Sequence, residues 1–283
     1  MELAIIGLGN VGSALVTYAA LNPRIERIAL IGRSSVVGEA TAMDVMSALP
    51  DHGRKLVVGA PERVADADIV VLTSGVLLGA AGGIPEMLAI NEQIAVTSLG
   101  QYPLKRTAVV IMVSSPVDDV TPLAQRITSL PRSQVIGFGG DLDRNRLIAV
   151  LRARGIDSRD AMIVGEHGPR AIPVYPSEAD YDAVAHAVRN YLGAIKDKAG
   201  KPRNLASGFL LAELIETILS GRGQVHFVCG FHPEHARYLT WPFLIGAAGI
   251  LGPAPIKLGP HAEAALASLL PLRGRDTRDI VVP

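Results

Sequence analysis

In the first half of the chain, short runs of Ile, Leu, Val and Ala alternate with longer stretches whose apolar positions recur at helical spacing. The runs predict strands over residues 3–7, 28–32, 56–59, 69–73, 109–113 and 135–138. The stretches between them predict helices over 11–21, 38–49, 85–99 and 121–129. That rhythm describes a parallel sheet wound by crossover helices. After Gly139-Gly140 it changes. A helix over 141–154, a strand over 162–164, a turn at 165–168 and a strand over 171–174 come first. Helices over 177–195 and 204–220, strands over 225–228 and 240–245, and a last helix over 262–270 follow. Pro271 and the charged run 273–279 read as a loose tail. The expected fold class is α/β, with a doubly wound parallel sheet over 1–139 and a mixed α+β domain over 140–283. No internal repeat or low-complexity linker separates them, so the boundary is a hinge at most.

The junction of the first strand and helix brings in chemistry. It reads Gly7-Leu8-Gly9-Asn10-Val11-Gly12, and each glycine has a steric task. Gly7 permits the tight turn, Gly9 lets backbone approach a pyrophosphate, and Gly12 lets the helix pack close to the strand. The anion then lies at the partly positive helix N-terminus. A glycine loop alone is a weak signal, but with strand before and helix after, it predicts a Rossmann dinucleotide site. An NAD site places Asp or Glu at the end of the second strand to bind both ribose hydroxyls. This chain has Gly32-Arg33-Ser34-Ser35 there instead. A guanidinium pairs bidentately with a 2'-phosphate, and two hydroxyls donate to it, so the expected cofactor is NADP rather than NAD. The plainer alternative is a surface turn in which Arg33 is merely solvated.

Composition narrows the partners. At 283 residues the chain is long enough for two domains or one large one. Apolar residues at 49% and charged residues at 19% exclude disorder. Lys plus Arg equals Asp plus Glu at 27 each, so neither a basic field for nucleic acid nor an acidic tail is present. A small molecule is the expected partner. No apolar run reaches membrane-spanning length, and the first strand begins at residue 3 without a basic leader, so a soluble cytoplasmic protein is expected. A lone cysteine, Cys229, forms no intrachain disulfide and fits a reducing compartment.

Three further segments point to a reaction: Ser114-Ser115-Pro116-Val117-Asp118 after a strand, Leu142-Asp143-Arg144-Asn145-Arg146 opening a helix, and Val164-Gly165-Glu166-His167-Gly168-Pro169 closing a strand. With the glycine loop, Gly38-Glu39-Ala40, Met43-Asp44, Thr73-Ser74-Gly75-Val76 and Asn91, all in order, the chain resembles the lactate/malate dehydrogenase family. The resemblance covers most of the length. It implies that His167 is the proton donor and acceptor at a carbonyl, a role that suits imidazole near neutral pH. It implies that Asp143 binds the other ring nitrogen and that Arg146, on the same helix face, grips a substrate carboxylate. It also places Gly7, Gly9, Asn10, Val11, Gly12, Ser74, Gly75 and Ser115 around the cofactor, to which the reading of the second strand's end adds Arg33, Ser34 and Ser35. Taken singly, a histidine between glycines is more often a turn residue, and an Asp at a helix start only an N-cap. A homo-oligomer, dimer or tetramer, is implied by the resemblance alone.

The chain also departs from the family. Family members carry arginines in the loop after the fourth strand, to polarise the carbonyl and, in malate enzymes, to bind the distal carboxylate. Residues 76–86 here contain no cation, with Leu78 and Ile84 at those two positions. Losing a preorganised donor to an oxyanion costs about a hundredfold or more in rate. An apolar, glycine-rich lid suits a substrate whose distal part is uncharged, because burying an unpaired carboxylate is expensive. The expected activity is hydride transfer between NADP(H) and a 2-oxo acid or related ketone with a nearby anionic group, rather than ordinary malate turnover. The alternative is a dinucleotide-binding sensor or catalytically degenerate paralogue. Ser115 replaces the usual asparagine, with less reach toward substrate or nicotinamide. The stretch from His167 to the helix near Asn204 is shorter than is usual. Within it, Arg203 is a candidate to supply the missing cation from another wall, against a plain solvated loop charge. His226, Cys229, His232 and His235 recur every three residues in a pattern that could suit zinc, but strand alternation scatters them, and no metal site is expected.

Overall fold

The computed structural model describes residues 1–201 and 203–272, so the predicted tail over 273–279 lies outside the described residues. In chain order the first half contains β1 (Glu2–Ile6), α1 (Asn10–Leu21), β2 (Arg27–Ile31), α2 (Ser35–Ala48), β3 (Leu56–Val58), β4 (Ile69–Leu72), a short α3 (Leu78–Ala81), α4 (Ile84–Leu99), β5 (Val109–Met112), α5 (Val117–Thr128) and β6 (Val135–Phe138). All six strands are parallel, in the order β3-β2-β1-β4-β5-β6. The order reverses between β1 and β4, which is where an open α/β sheet leaves a crevice for a ligand.

The second half contains α6 (Gly140–Ala153), β7 (Met162–Gly165), β8 (Ala171–Val174), α7 (Tyr181–Arg189), α8 (Tyr191–Ala199), α9 (Leu205–Ser220), β9 (Gln224–His232), β10 (Arg237–Gly246), β11 (Gly249–Pro253) and α10 (Pro260–Leu269). Its strands do not form a separate sheet. β9 pairs antiparallel with β6, placing Gly137 opposite Cys229, and the ladder continues through β10 to β7 and β8, with β11 on β10. The described residues therefore form an α/β fold on one 11-stranded mixed sheet. One apolar cluster joins Leu3, Ile5 and Ile111 of the parallel strands to Trp241 and Phe243 of β10 and to Leu211 and Leu214 of α9. A second packs α4 and α5 on the opposite face through Leu88, Ala95, Val120 and Leu123. Fully burying each Leu or Ile is worth about 1.5–3 kcal/mol, so these clusters hold the strand ends in place.

The sequence expectations differ from the structure mainly at boundaries. The helix expected over 177–195 is two helices, broken at Asn190. The Asn190 side-chain amide donates to the His186 carbonyl at 2.9 Å and competes with the helical ladder. The helix expected from 121 begins at Val117, four residues before Thr121, because Pro116 ends the extended segment and Asp118 and Asp119 favour a helix start. The strand expected over 225–228 runs to His232, and β11 had no clear alternation to mark it.

Candidate active site

At the carboxyl end of β1 the glycines divide their work as their positions require. Gly7 has φ +102°, and a Cβ there would lie 2.4 Å from the Ser74 backbone nitrogen. A Cβ on Gly12 would lie 2.0 Å from the Gly7 carbonyl oxygen, so only glycine lets α1 come this close to β1. A Cβ on Gly9 would meet nothing within 4 Å, so this backbone faces open space. The Thr73 hydroxyl donates to the Gly7 carbonyl at 2.6 Å, and the Ser114 hydroxyl donates to the Ser74 carbonyl. These bonds gather the ends of β1, β4 and β5 into one cradle. The start of α1, at Asn10, Val11 and Gly12, presents backbone N–H groups to it. A dinucleotide pyrophosphate fits this cradle.

Beyond β2, Arg33, Ser34 and Ser35 are exposed. Ser34 is the N-cap residue of the 14-residue α2, yet its side chain makes no capping hydrogen bond. Arg33 has no hydrogen bond or ion pair among the described residues. Hydroxyl, guanidinium and helix N-terminus are thus all available to an anion.

The chemical groups converge at the start of α6. His167 Nδ1–H donates to Asp143 Oδ2 at 2.7 Å, and the Gly168 N–H donates to the same oxygen at 2.8 Å. Arg146 Nη1 donates to Asp143 Oδ1 at 2.8 Å. Asp143 is only 1% exposed, so its charge depends on these partners. Burial pushes its carboxyl up, but the charge and hydrogen bond of His167, together with Arg146 and the Gly168 N–H, outweigh it and hold the group below the ordinary carboxylate range. Burial likewise pushes the His167 imidazole down, and Asp143, with a contribution from Asp118, more than reverses it. The imidazole therefore holds a proton above its usual range. With Nδ1 committed to Asp143, Nε2 is the nitrogen left to exchange a proton. A Cβ on Gly139 would lie 2.5 Å from the His167 ring, so the backbone before α6 forms the floor of the site.

Other predicted residues are placed with varying closeness. Ser115 follows β5, and its carbonyl accepts from the Asn91 side-chain amide, which also bonds the Val76 backbone. Asn91 thus ties the root of the loop after β4 to the Ser115 segment. The loop itself exposes Leu77 and Ile84 and contains no cation. Arg203 is exposed ahead of α9 and has no hydrogen bond or ion pair among the described residues; nothing links it to His167, Asp143 or Arg146.

Two carboxylates near the site carried no individual sequence signal. Asp118 Oδ2 accepts the His167 backbone N–H at 2.9 Å, yet by position it reads as an ordinary acidic residue at a helix start. Asp141 Oδ2 accepts from His226 Nδ1 at 2.8 Å and Oδ1 from the Phe227 N–H at 2.8 Å, while Thr217 Oγ1 lies 2.9 Å from His226 Nε2. His226 is therefore part of a clamp between α6, β9 and α9. Among the described residues no group of three or more His, Cys, Asp and Glu is arranged to hold a metal ion. Nor is any helix among them long and apolar enough to cross a membrane.

Residues 1–137 match the family described as lactate/malate dehydrogenase, NAD binding domain. The chain is 28% identical over 293 aligned residues to the malate dehydrogenase of Cytophaga hutchinsonii, covering 94% of this chain and 93% of that one. Among solved structures it is similar to the malate dehydrogenase of Salinibacter ruber, with a TM-score of 0.82, 21% identity and coverage of 95% and 93%. It is similar also to a lactate dehydrogenase from a Medee basin deep-sea metagenome library, with a TM-score of 0.83, 21% identity and coverage of 95% of both chains.

Proposed function

The chain belongs to the lactate/malate dehydrogenase family, and we propose that it is an NADP-preferring member whose substrate is a 2-oxo acid, or a related ketone with an anionic group beside the carbonyl, and not ordinary malate. Membership makes it a nicotinamide-dependent dehydrogenase acting on CH–OH groups. When bound, the nicotinamide supplies or accepts a hydride. The chain supplies everything else. His167 holds a proton at Nε2 for the ketone oxygen during reduction and takes it back during oxidation. Asp143 fixes the tautomer and balances the imidazolium. Arg146 has one nitrogen on Asp143, which aims the rest of its planar fork at a substrate carboxylate. The observation that carries this reading is the continuous bonding of His167, Asp143 and Arg146 at 2.7–2.8 Å.

The NADP preference rests on Arg33, Ser34 and Ser35 at the start of α2, with no carboxylate among Gly32–Ser35. A KM for NADPH well below that for NADH is expected, and the reverse order would overturn the preference. The substrate reading rests on the cation-free loop of residues 76–86. In a panel of 2-oxo acids, those with an uncharged distal group should exceed oxaloacetate in kcat/KM. Arg203 is the candidate replacement cation; unchanged kinetics in Arg203→Ala would remove it from the site. The same missing cations favour a second reading, a dinucleotide-binding sensor with degenerate chemistry, which a panel without NADPH oxidation would support.

The functional division follows residues 1–139 for dinucleotide and 140–283 for substrate and catalysis. A homo-oligomer is supported by exposed apolar residues on two helices that flank α1: Val36, Val37, Met43 and Met46 on α2, and Leu205 and Phe209 on α9. Light scattering should give a multiple of the 29.8 kDa chain mass, and a monomer would overturn this. A cytoplasmic location is consistent with a single cysteine, Cys229, that is buried and outside any disulfide.

A further inference from the structure

The backbone N–H groups of His167 and Gly168, neighbours in one turn, donate to carboxylates from different helices. His167 donates to Asp118 Oδ2 at 2.9 Å and Gly168 to Asp143 Oδ2 at 2.8 Å. Asp118 lies in the first turn of α5 and Asp143 in the first turn of α6. The catalytic turn is thus held between two helix N-termini, one in each half of the chain. Asp118 is 3% exposed, and its other oxygen accepts the Thr240 hydroxyl of β10 at 3.2 Å. Both oxygens accept hydrogen bonds from outside the helix that carries it.

We infer that Asp118 is a positioning residue for His167, holding its backbone in the turn and stabilising the imidazolium form through a fixed buried charge. This rests on the reading of His167 as the acid/base group. A charge buried to this degree acts at short range in a medium that screens it weakly. The charged groups facing His167 can be named element by element: Asp143 and Arg146 from α6, and Asp118 from α5. From β10 the neutral Thr240 hydroxyl joins the cluster. Glu166 and Arg170, on the β7–β8 turn, pair with each other at 3.4 Å. Of these, Asp143 and Asp118 favour the proton and Arg146 opposes it. Burial is the largest opposing cause; Asp143 works against it by both charge and hydrogen bond, and the Asp118 charge adds to Asp143 on the side of the protonated ring, ahead of the weaker opposition of Arg146. The protonated ring is the form a ketone reduction consumes.

The test is Asp118→Asn, which keeps an oxygen for the His167 N–H but removes the charge, with Asp118→Ser as a second variant. Side-chain NMR of His167 in the full chain without cofactor should show its titration midpoint lowered by about one unit. The alkaline limb of the reduction profile should move to lower pH with it, while the KM for NADPH stays within about twofold. An unmoved titration in a folded variant overturns the inference, even if activity falls. Thr240→Val measures the same charge if neither variant folds. It leaves the carboxylate less dispersed, so the His167 midpoint should rise, and no rise overturns the inference. The NMR titration needs no turnover. Turnover retained in His167→Asn would sink the catalytic reading, whereas an unmoved titration would sink only the role of Asp118.

Discussion

At the scale of single residues, the site is governed by how a carboxylate at 1% exposure keeps its charge. Asp143 does so by taking donors from an imidazole, a guanidinium and a backbone amide at once. Such a group is costly to leave unpaired, so replacing either main partner disturbs the other. His167→Asn should lower kcat by about a hundredfold or more, while fluorescence titration shows NADPH binding retained. Retained turnover would exclude His167 as the proton donor. The pH dependence follows from the two shifts. The His167 proton affinity is raised, so reduction should remain at its plateau above the ordinary midpoint of about 6.5 and fall only as the pH passes the raised value. Oxidation needs the neutral ring and should rise over that same interval. For stability the signs are opposite for the two groups. The Asp143 contribution is present above about pH 4 and lost as acid passes its depressed value; that of His167 is full below about 6.5 and lost as alkali passes its raised value. The thermal midpoint of the unliganded protein should therefore decline toward both extremes, and a flat alkaline side would contradict the raised imidazole.

At the scale of elements, the β1–α1 junction separates folding from binding within a few residues. Gly12 is required by the protein itself, because its Cβ would collide with the Gly7 carbonyl and the Thr73 hydroxyl. Among the described residues nothing requires Gly9, since its Cβ would meet open space. Gly12→Ala should cost about 1–3 kcal/mol of stability through overpacking, read as a lower denaturation midpoint. Gly9→Ala should remain within about 1 kcal/mol of the parent, the scale of a changed N-cap, yet bind NADPH at least tenfold more weakly. Equal effects on stability and affinity in both variants would mean that the cradle does not face the pyrophosphate. The lid follows the same logic with different chemistry. α3 is a four-residue helix between exposed Leu77 and Ile84, and the Asn91 bonds to Val76, with the Ser114 bond to the Ser74 carbonyl, secure its root.

For the whole molecule, the sheet is the decisive object. β9 pairs with β6, and one apolar cluster runs from Leu3 to Phe243, so residues 1–139 and the residues after them share both ladder and core. Calorimetry of the full chain should accordingly show one cooperative transition, with van't Hoff and calorimetric enthalpies in agreement. Two resolved transitions would mean that residues 1–139 and 140–283 behave as separate folding units despite the shared sheet. The shared sheet also fixes the candidate site, because α5 and α6 start at the ends of β5 and β6 and aim Asp118 and Asp143 at the same turn.

Local rules made much of this readable in one dimension. The six parallel strands followed from apolar runs of the right length, and the steric demands at Gly7 and Gly12 followed from the glycine spacing between a strand and a helix. His167, Asp143 and Arg146 were singled out by the short ordered motifs that carry the resemblance, and the structure brings the three together, Asp143 and Arg146 by helical periodicity. Sequence could not assign Asp118 a partner 49 residues away, or Asp141 one 85 residues away, because an acidic residue at a helix start looks the same whether it faces water or a buried histidine. Nor could it join the two halves into one sheet, since antiparallel pairing of β6 with β9 depends on contacts between segments about 90 residues apart rather than on local pattern. Hydrophobic period and glycine sterics act over a few residues and are written in the chain. The field around His167 is a sum over charges from separate elements, and only the folded arrangement of those elements determines it.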